Sequence, residues 1–534
     1  MKGYLTIALI FILHVVRAQT SFVLKPYASS SWAPRSQTIN IVRLSDRGVS
    51  SDADISFGSA TFGSNQDSAI QAILNEASGS SPLYLIWDCK VGTLGFRLKS
   101  NTYIFALPNC GAILYDSANN FIFKNNGWDS GLNNIVDSNI TVQGGIWNGN
   151  GWRGGVGKQL HSSSSKGMIT GMCFIGVKNL SLLDQTLFNT RTYGLLFLTV
   201  ENVYIDHFNI DDGNSAGINQ DGIVFAGYAQ NINLSNLRIK NGDDKIAFAP
   251  NATGGSIGTE HHEPYTGIKG DQTNIYINNV FFDSLGKGLA FYLTGDKVVK
   301  NIYASNISGR CFTNWMCAFN QDFLTGYTIA TGSNASYGFH FKNINVEILG
   351  KYGYDNSGYP LACLGASIND VTFDDVTRLD QSYAVPTIGT LKFGATAISF
   401  KNISINNLKC ITSSPSANNQ INISSATVNN LRVSNCNIDF TSSLQTASFI
   451  NVTSGSTVTS VNVVGNNVAY LKYVYNNAGT TTNAIITNIN HTGQGGSDPT
   501  VNTSGTFTKL IMNGWNGVVA TSGTIGTTSN GNAF

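Results

Sequence analysis

The sequence predicts an all-β fold, a right-handed parallel β-helix (solenoid), and three observations support this prediction. Short alternating β runs separated by Asn- or Gly-marked turns recur about every 20 to 30 residues. Glycine is abundant, at 56 of 534 residues, and proline is scarce, at 10, which is typical of short strands and tight turns. Apolar residues at helical spacing are sustained in one early segment. A fixed period in this range indicates stacked coils that bury their core against neighbouring coils.

The amino terminus is predicted to be a secretory signal peptide, residues 1–18. Lys2 supplies the positive end, and residues 5–16 are apolar except for Thr6 and His14. This run is too short to span a bilayer, and residues 16–18 provide a plausible cleavage site. We therefore expect a secreted, extracellular protein with no membrane association after signal removal.

Residues 19–80 are interpreted as a lead-in with an amino-terminal cap. The cap is a predicted helix over Asp67 to Ala77, with Ile70, Ile73 and Leu74 on one side. An amphipathic helix of this kind covers the open end of a solenoid. Residues 81–490 form the predicted β-helix catalytic domain. Residues 491–534 are a carboxy-terminal tail that ends the stack, with a last strand proposed at Phe507 to Met512.

The charge pattern excludes some functions. Net charge is +1 and charged residues are 12% of the chain, so nucleic acid, which needs concentrated Lys and Arg, is not an expected partner. We expect a monomer. Eight cysteines fit an oxidising compartment, and two local disulfides are guessed, Cys311 with Cys317 and Cys89 with Cys110. Several Asn-X-Ser/Thr sequons would allow glycosylation, among them Asn139, Asn179, Asn233, Asn251, Asn306 and Asn402.

Two short acidic signatures carry the functional prediction. They are Asn219-Gln220-Asp221-Gly222 and Gly242-Asp243-Asp244-Lys245, 22 residues apart. Since neighbouring coils lie about 4.8 Å apart, a one-coil step would bring Asp221 beside Asp243 or Asp244. For both Asp243 and Asp244 to face outwards the chain must bend there, and Gly242 would permit this. Close carboxylates repel, so one should stay protonated and form an acid–base pair of the kind that cleaves glycosidic bonds.

In these motifs the chain resembles glycoside hydrolase family 28, the polygalacturonase-like enzymes of the pectin lyase-type β-helix. The resemblance covers residues of about 60–310. Asn219 to Gly222 resembles Asn-Thr-Asp-Gly, and Gly242 to Ala247 resembles Gly-Asp-Asp-Cys-Ile-Ala. Two other segments are similar to the family's Gly-Gly-x-Ile-x-Gly-x-Gly turn and Asn-Ser-Pro-aromatic coil, residues 144–151 and 189–197.

The resemblance implies an inverting acid/base mechanism with three Asp residues. Asp243 would be the general acid, Asp221 and Asp244 would orient and deprotonate the attacking water, and Asn219 would help hold Asp221. The distance between catalytic carboxylates would instead assign closely spaced groups to a mechanism that retains the anomeric configuration. We adopt the inversion that the resemblance implies. No cofactor and no metal are expected.

Two departures from the family pattern concern substrate binding. The Gly-His-Gly loop is replaced by a segment with His261 and His262, either of which could assist Asp243, although a solvated loop is the simpler interpretation. The Arg-Ile-Lys motif that binds a uronate carboxylate should fall near residues 288–292 and is missing. The expected substrate is therefore a polysaccharide, and its identity as galacturonan does not follow from the motifs.

Two further substrate-binding candidates have simpler structural interpretations. Lys245 is a possible substrate ligand, although a surface charge at a strand end is the commoner role for such a residue. For Tyr193, packing between coils and stacking against a sugar ring are equally expected roles. Two alternative functions also stay open: a polysaccharide lyase on the same fold, and a non-catalytic, adhesin-like glycan-binding solenoid.

Overall fold

The computed structural model describes residues 40–53, 55, 66–115, 118, 120–129, 133–150, 171–190, 193–212, 220–252, 268–283, 286–293, 296–311, 314–319, 336–349, 360–378, 386–390, 397–412, 419–440, 445–492, 500–515, 519–521 and 523–530. The chain divides into two units, residues 1–40 and 41–534. Apart from Asn40, the described residues all belong to the second unit. The predicted signal peptide, residues 1–18, lies outside them.

Nearly all of the described regular structure is β. One α-helix, α1, spans Asp67–Leu74, and two 3₁₀ turns span Ser45–Arg47 and Asn126–Asp129. The strands in the first half of the chain are β1 (Asn40–Arg43), β2 (Leu83–Trp87), β3 (Lys90–Thr93), β4 (Phe96–Leu98), β5 (Thr102–Ala106), β6 (Gly111–Leu114), β7 (Phe123–Asn125), β8 (Asp137–Gln143), β9 (Ile146–Asn148), β10 (Met172–Leu183), β11 (Thr186–Phe188), β12 (Leu195–Asp211), β13 (Ile223–Lys240), β14 (Ile246–Ala249), β15 (Asn251–Ala252), β16 (Ile268–Lys269) and β17 (Gln272–Phe282).

The second half continues in the same way. Its strands are β18 (Leu289–Tyr292), β19 (Val299–Cys311), β20 (Met316–Phe319), β21 (Ser336–Ile348), β22 (Ala362–Leu364), β23 (Ile368–Arg378), β24 (Ile388–Thr390), β25 (Ile398–Asn406), β26 (Lys409–Thr412), β27 (Ile421–Ile423), β28 (Ala426–Ser434), β29 (Asn437–Phe440), β30 (Gln445–Val452), β31 (Thr457–Val464), β32 (Asn467–Ala469), β33 (Leu471–Asn477), β34 (Thr480–Thr492), β35 (Val501–Thr503), β36 (Thr506–Trp515), β37 (Val519–Thr521) and β38 (Thr524–Asn530).

The strands pair in parallel from one coil to the next. The long strands β10, β12 and β13 pair along most of their length, and β14 and β18 continue one face of the coil. The short β15–β16 pair is antiparallel. The prediction of an all-β fold built from parallel strands is therefore confirmed. The right-handed sense of the coil and the capping role of α1 remain predictions.

The core lies inside the coils because alternate side chains of each strand point inwards. Phenylalanines at one level form a stack along the coil axis, with neighbouring ring centroids 4.8 to 6.0 Å apart. Each such pair contributes about 0.5–1.5 kcal/mol beyond its buried area. The register of the coils is thus fixed by the interior as well as by the backbone. The stacked rings are Phe174, Phe197, Phe225, Phe248 and Phe291.

Asparagines at one turn of the coil form a ladder. Each has a positive φ of 56° to 62°, a conformation that Asn tolerates better than most residues. From Asn139 onwards, each side-chain amide nitrogen donates to the side-chain oxygen Oδ1 of the preceding member at 2.9–3.0 Å. Two sequon residues, Asn139 and Asn179, use their amide nitrogens in this way. The members are Asn101, Asn139, Asn179, Asn202, Asn231, Asn274 and Asn301.

The end regions match the sequence analysis in part. Helix α1 begins at Asp67 as predicted and buries Ile70, Ile73 and Leu74, but it ends three residues before Ala77. The strand proposed at residues 507–512 lies within β36, and β38 adds a further parallel strand beyond it. Among the described residues, no helix is long and apolar enough to cross a membrane.

The guessed disulfides are wrong, since Cys89, Cys110, Cys311 and Cys317 are thiols outside any disulfide in the structure. Cys311 packs in the core inside the coils, whereas Cys317 belongs to a second apolar cluster outside it, so their side chains point to opposite faces. Cys89 donates through its thiol to the carbonyl of Val49 at 3.3 Å. Burial raises its pKa to about 12, which keeps the thiol protonated beside Cys110.

Candidate active site

Two acidic residues and one basic residue occupy equivalent positions on three consecutive coils. The amide of Gly222, directly after Asp221, donates to the carbonyl of Asp244 at 2.8 Å. The amide of Lys245, directly after Asp244, donates to the carbonyl of Lys287 at 2.9 Å. Asp221, Asp244 and Lys287 therefore stack as carboxylate, carboxylate and ammonium, each two residues before the first residue of a strand.

Glycines after these positions let the coils approach closely. A Cβ on Gly222 would lie 2.5 Å from the carbonyl oxygen of Lys245, and one on Gly288 would lie 2.2 Å from that of Trp315. Gly286 has a φ of +83°, and a Cβ there would lie 1.7 Å from the carbonyl oxygen of Asp243. Since real Cβ atoms cannot come this close, only glycine fits at these positions without moving the facing backbone, which at Gly286 is that of Asp243.

The three predicted catalytic carboxylates come together. One oxygen each from Asp221, Asp243 and Asp244 lies within 4.8 Å of the others. The chain bends at Gly242–Asp243, which allows the side chains of Asp243 and Asp244 to converge on Asp221. Asp243 reaches solvent more than Asp244 does, with 20% of its side chain exposed against 2%.

Buried amides hold this bend in place. The side chain of Asn241 donates to the carbonyls of Gln220 and Asp244, at 2.7 Å each. The amide of Asp243 donates to the same carbonyl of Gln220 at 3.1 Å, and the side chain of Gln220 donates to Thr190 one coil earlier at 2.6 Å. These bonds tie the loops that carry the three carboxylates to each other.

Lys287 bridges two of the carboxylates. Its ammonium donates to Asp243 at 3.2 Å and to Asp244 at 2.9 Å, and 15% of its side chain is exposed. Burial alone would lower the pKa of Lys287, but the charges of Asp243 and Asp244 outweigh burial and raise it well above its usual value. Lys287 is therefore a permanent cation in the site.

Tyr292 fixes the other oxygen of Asp244. Its hydroxyl donates to Asp244 Oδ2 at 2.6 Å, and the ring packs against the outer apolar cluster. Burial and the nearby carboxylates, Asp244 first among them, raise the pKa of the Tyr292 hydroxyl well above its usual value. The hydroxyl therefore stays protonated and acts as a donor, so both oxygens of Asp244 are held.

Two of the carboxyl groups have raised pKa values. Burial, followed by repulsion from Asp244 and Asp243, raises the pKa of Asp221 well above its usual value. Burial also raises the pKa of Asp244, while the charge of Lys287 and the hydrogen bond from Tyr292 oppose this rise. The cluster consequently retains a proton at a higher pH than isolated carboxyls would.

The same three oxygens are close enough to hold a metal ion. Two of the three residues, Asp243 and Asp244, already have the ammonium of Lys287 as their counter-charge. Carboxylates that lie next to a cation and next to other carboxylates can exchange protons with a bound water. Such proton exchange is the chemistry of general acid–base catalysis.

Lys245 does not take either role expected of it. It is fully buried, and its ammonium donates to the backbone and side-chain oxygens of Asn241 at 3.2 and 2.7 Å. Burial lowers its pKa to about 8. Lys245 thus points into the coil, where it can support the loop of Asn241 but cannot reach a substrate.

Tyr193 precedes Asp221 in the same stack but belongs to the packing of the coils. It is 4% exposed and part of the outer apolar cluster, so its ring has no free face for a sugar. Three other proposed substrate-binding residues, Asn219, His261 and His262, lie outside the described residues.

Sequence reasoning missed Lys287 and Tyr292. Lys287 lies 43 residues after Asp244, whereas Asp244 lies 23 after Asp221, so a fixed coil period does not find it. A signal is nevertheless present in the sequence. Lys287-Gly288-Leu289 repeats the pattern of Asp221-Gly222-Ile223, a polar residue and glycine before an aliphatic residue, and the glycine marks the same level of the coil.

Comparison with known proteins gives a family match over the same region. Residues 116–307 match the model of glycosyl hydrolases family 28, which includes all three Asp residues and both missed ones. The resemblance stated from the motifs is therefore confirmed. A curated relative, exo-poly-alpha-D-galacturonosidase of Dickeya chrysanthemi, is 27% identical over 270 residues. That match covers 49% of this chain and 41% of the relative.

Two solved structures are loosely similar to this chain. The family 28 exopolygalacturonase of Yersinia enterocolitica is 15% identical with a TM-score of 0.41, over 89% of this chain and 78% of that one. The exopolygalacturonase of Thermotoga maritima is 13% identical with a TM-score of 0.42, over 74% of this chain and 90% of that one.

Proposed function

We propose that this chain, whose residues 116–307 match the model of glycosyl hydrolases family 28, is a polygalacturonase-like glycoside hydrolase that acts on a polysaccharide. The observation that carries the proposal is the convergence of Asp221, Asp243 and Asp244 within 4.8 Å of one another, with the Asp243 side chain 20% exposed. Hydrolysis needs one group to give a proton to the glycosidic oxygen and another to take one from water. Three neighbouring carboxyls in different environments meet that need.

Asp243 is proposed as the general acid. Its side chain is the more exposed member of the Asp243–Asp244 pair, so it is better placed to meet the glycosidic oxygen of a polymer lying on the outer face. Its proton would pass to the leaving oxygen as the bond to the anomeric carbon breaks. Lys287, 3.2 Å away, would stabilise the carboxylate that remains.

Asp221 and Asp244 are proposed as the groups that hold and deprotonate the attacking water. Their pKa values are raised by burial and by mutual repulsion, and a carboxylate with a raised pKa is a stronger base. Water bound between them would attack the anomeric carbon and lose its proton to one of the pair. This route inverts the anomeric centre.

Three expectations about the protein's setting belong to the same proposal. The signal-like sequence of residues 1–18 supports secretion to the extracellular space. The ammonium of Lys287 supplies the positive charge beside Asp243 and Asp244, so the reaction is proposed to need no metal. The chain is proposed to act as a monomer.

A screen over plant, algal and microbial polysaccharides tests the function. New reducing ends without ultraviolet absorbance are expected from at least one polymer, with the same yield in EDTA. An unsaturated product that absorbs in the ultraviolet and disappears with a chelator would indicate the lyase alternative. Tight binding without any new reducing ends would indicate the adhesin-like alternative.

A further inference from the structure

A charged side chain is buried inside the coils at the level of the proposed catalytic carboxylates. Lys245 follows Asp244 in the chain and is fully buried. Burying an ammonium costs free energy unless hydrogen bonds replace its hydration, and burial lowers the pKa of Lys245 to about 8. A methionine would fill a similar volume without this cost. The cost indicates that the ammonium makes contacts that an apolar side chain would not provide.

The ammonium of Lys245 determines how the side-chain amide of Asn241 is oriented. It donates to Asn241 Oδ1 at 2.7 Å and to the backbone oxygen of Asn241 at 3.2 Å. Because an ammonium has donors only, the amide must present its oxygen to Lys245 and not its nitrogen. The nitrogen is thereby turned towards the carbonyls of Gln220 and Asp244, to which it donates at 2.7 Å each.

These two carbonyls belong to the segments that carry the carboxylates. Gln220 lies directly before Asp221, and its carbonyl also accepts from the amide of Asp243 at 3.1 Å. Asn241 therefore links the segment of Asp221 to the bend that carries Asp243 and Asp244. A rotated amide would lose both bonds at once, and this link would be broken.

From this geometry we infer that Lys245 is a positioning residue for the proposed hydrolysis and that it acts through Asn241. Its role is to hold the three carboxylates at their working separation. The inference rests on the proposed hydrolase function and adds one residue to it. A displacement of about 1 Å at reacting groups can cost about 100-fold in rate, so the effect of Lys245 falls on kcat and not on KM.

Methionine substitutions in the full chain test this role. Lys245→Met should lower kcat by about 10- to 100-fold, with KM within about twofold of the parent. The control is Gln272→Met. Gln272 is as fully buried, and it donates to the carbonyls of Phe225 and Gly227 at 3.0 Å each, outside the carboxylate segments. It should keep the parent's kcat. A folded Lys245→Met with the parent's kcat would overturn the inference.

A second substitution keeps the test decisive if methionine prevents folding. Lys245→Gln retains an amide donor in a similar volume but removes the charge. Its kcat should lie between the values of the parent and of Lys245→Met, or below that of the parent by about tenfold if Lys245→Met does not fold. A kcat equal to that of the parent would count against the role of the ammonium.

A double-mutant cycle tests the route through Asn241. Asn241→Ala removes the amide, so adding Lys245→Met should lower kcat by less than about twofold more. An effect of the Lys245 charge on the carboxyls across space would persist without the amide. A further tenfold loss in the double variant would therefore contradict the route.

Amide hydrogen exchange separates the inference from the hydrolase proposal, because it needs no turnover. The amides of Gly242 and Asp243 donate to the carbonyl of Gln220 at 3.2 and 3.1 Å. Their exchange should be about tenfold faster or more in Lys245→Met and unchanged in Gln272→Met. Unchanged exchange in Lys245→Met would overturn the inference even for an active hydrolase. Faster exchange in a chain whose parent cleaves no polymer would count against the hydrolase proposal alone.

Discussion

Asp221 and Asp244 occupy equivalent positions on neighbouring coils, and the amide after Asp221 donates to the carbonyl of Asp244 at 2.8 Å. The backbone ladder therefore fixes the separation of the two carboxylates. Lys287 holds the same position one coil further on. The arrangement places two like charges side by side and one opposite charge next to them, and several measurable properties depend on it.

Replacing the cation should shift the pH dependence of activity. Burial raises the pKa of both Asp221 and Asp244, and the charge of Lys287 opposes this rise, so Lys287→Met should let these carboxyls keep their protons to higher pH. Since the proposed bases must be ionised, the acidic limb of the kcat/KM profile should move up by about one pH unit. Lys240→Met, which removes a lysine paired with Asp211 at 3.3 Å, is the control. An unchanged acidic limb in Lys287→Met would contradict the role of Lys287.

The stereochemistry of the product tests the proposed water position. Carboxyl oxygens within 4.8 Å are as close as those of retaining enzymes, but here two buried carboxylates are available to hold the attacking water. We expect the first-formed reducing end to have the inverted configuration when followed by proton NMR during the first minutes of reaction. A retained configuration would assign one of the three Asp residues as a nucleophile.

The sequence located the carboxylates because their spacing matches one coil. The motifs around Asp221 and Asp243 predicted a cluster, and the parallel register of β13 and β14 provides it. The glycine between Asn241 and Asp243 correctly predicted a bend. These features are local or depend on the coil period alone, and they can therefore be derived from the order of residues.

The supporting residues could not be derived in the same way. Lys287 and Tyr292 reach Asp244 from a coil whose length differs from the preceding one. Lys245 was expected at the surface, but the bend before it breaks the simple alternation of inward and outward side chains, and it enters the core. The partners of each cysteine depend on which face it occupies, and neither face nor pairing follows from spacing.

The buried carboxyl of Asp212 should make stability depend on pH. It accepts hydrogen bonds from the amide and hydroxyl of Thr190 at 2.8 and 2.9 Å, and burial raises its pKa to about 7. The folded state therefore favours the protonated form, so this contribution is present below the unfolded pKa near 4 and is lost as pH rises through 7. Asp212→Asn should not lose this stability as pH rises. Between pH 4 and 8 its free energy of unfolding should therefore increase, relative to that of the parent, by up to about 4 kcal/mol.

Chemical denaturation at several pH values measures this difference. Asp211→Asn, which changes the adjacent and partly exposed carboxyl, is the matched control and should follow the parent. If the free energies of unfolding of Asp212→Asn and the parent run parallel across this range, Asp212 is ionised in the folded protein and the assignment is wrong.

The asparagine ladder should contribute to stability at each rung. Asn202 donates to Asn179 at 3.0 Å and accepts from Asn231 at 2.9 Å, with a φ of 59°. Asn202→Ala loses both bonds and places alanine in the left-handed region, so unfolding should become easier by about 2–4 kcal/mol. Asn233→Ala, on the following strand and outside the ladder, should change stability by less than about 1 kcal/mol. Similar losses in both variants would contradict the ladder's role.

The most direct test of the hydrolase site is release of reducing ends by Asp243→Asn, compared with the parent and with Asp296→Asn. Asp296 has 60% of its side chain exposed and pairs with Lys297, so its substitution controls for loss of one surface charge. On a polysaccharide that the parent cleaves, Asp243→Asn should lose activity by about 100-fold or more with an unchanged melting temperature, while Asp296→Asn stays active. Full activity in a folded Asp243→Asn would contradict the account.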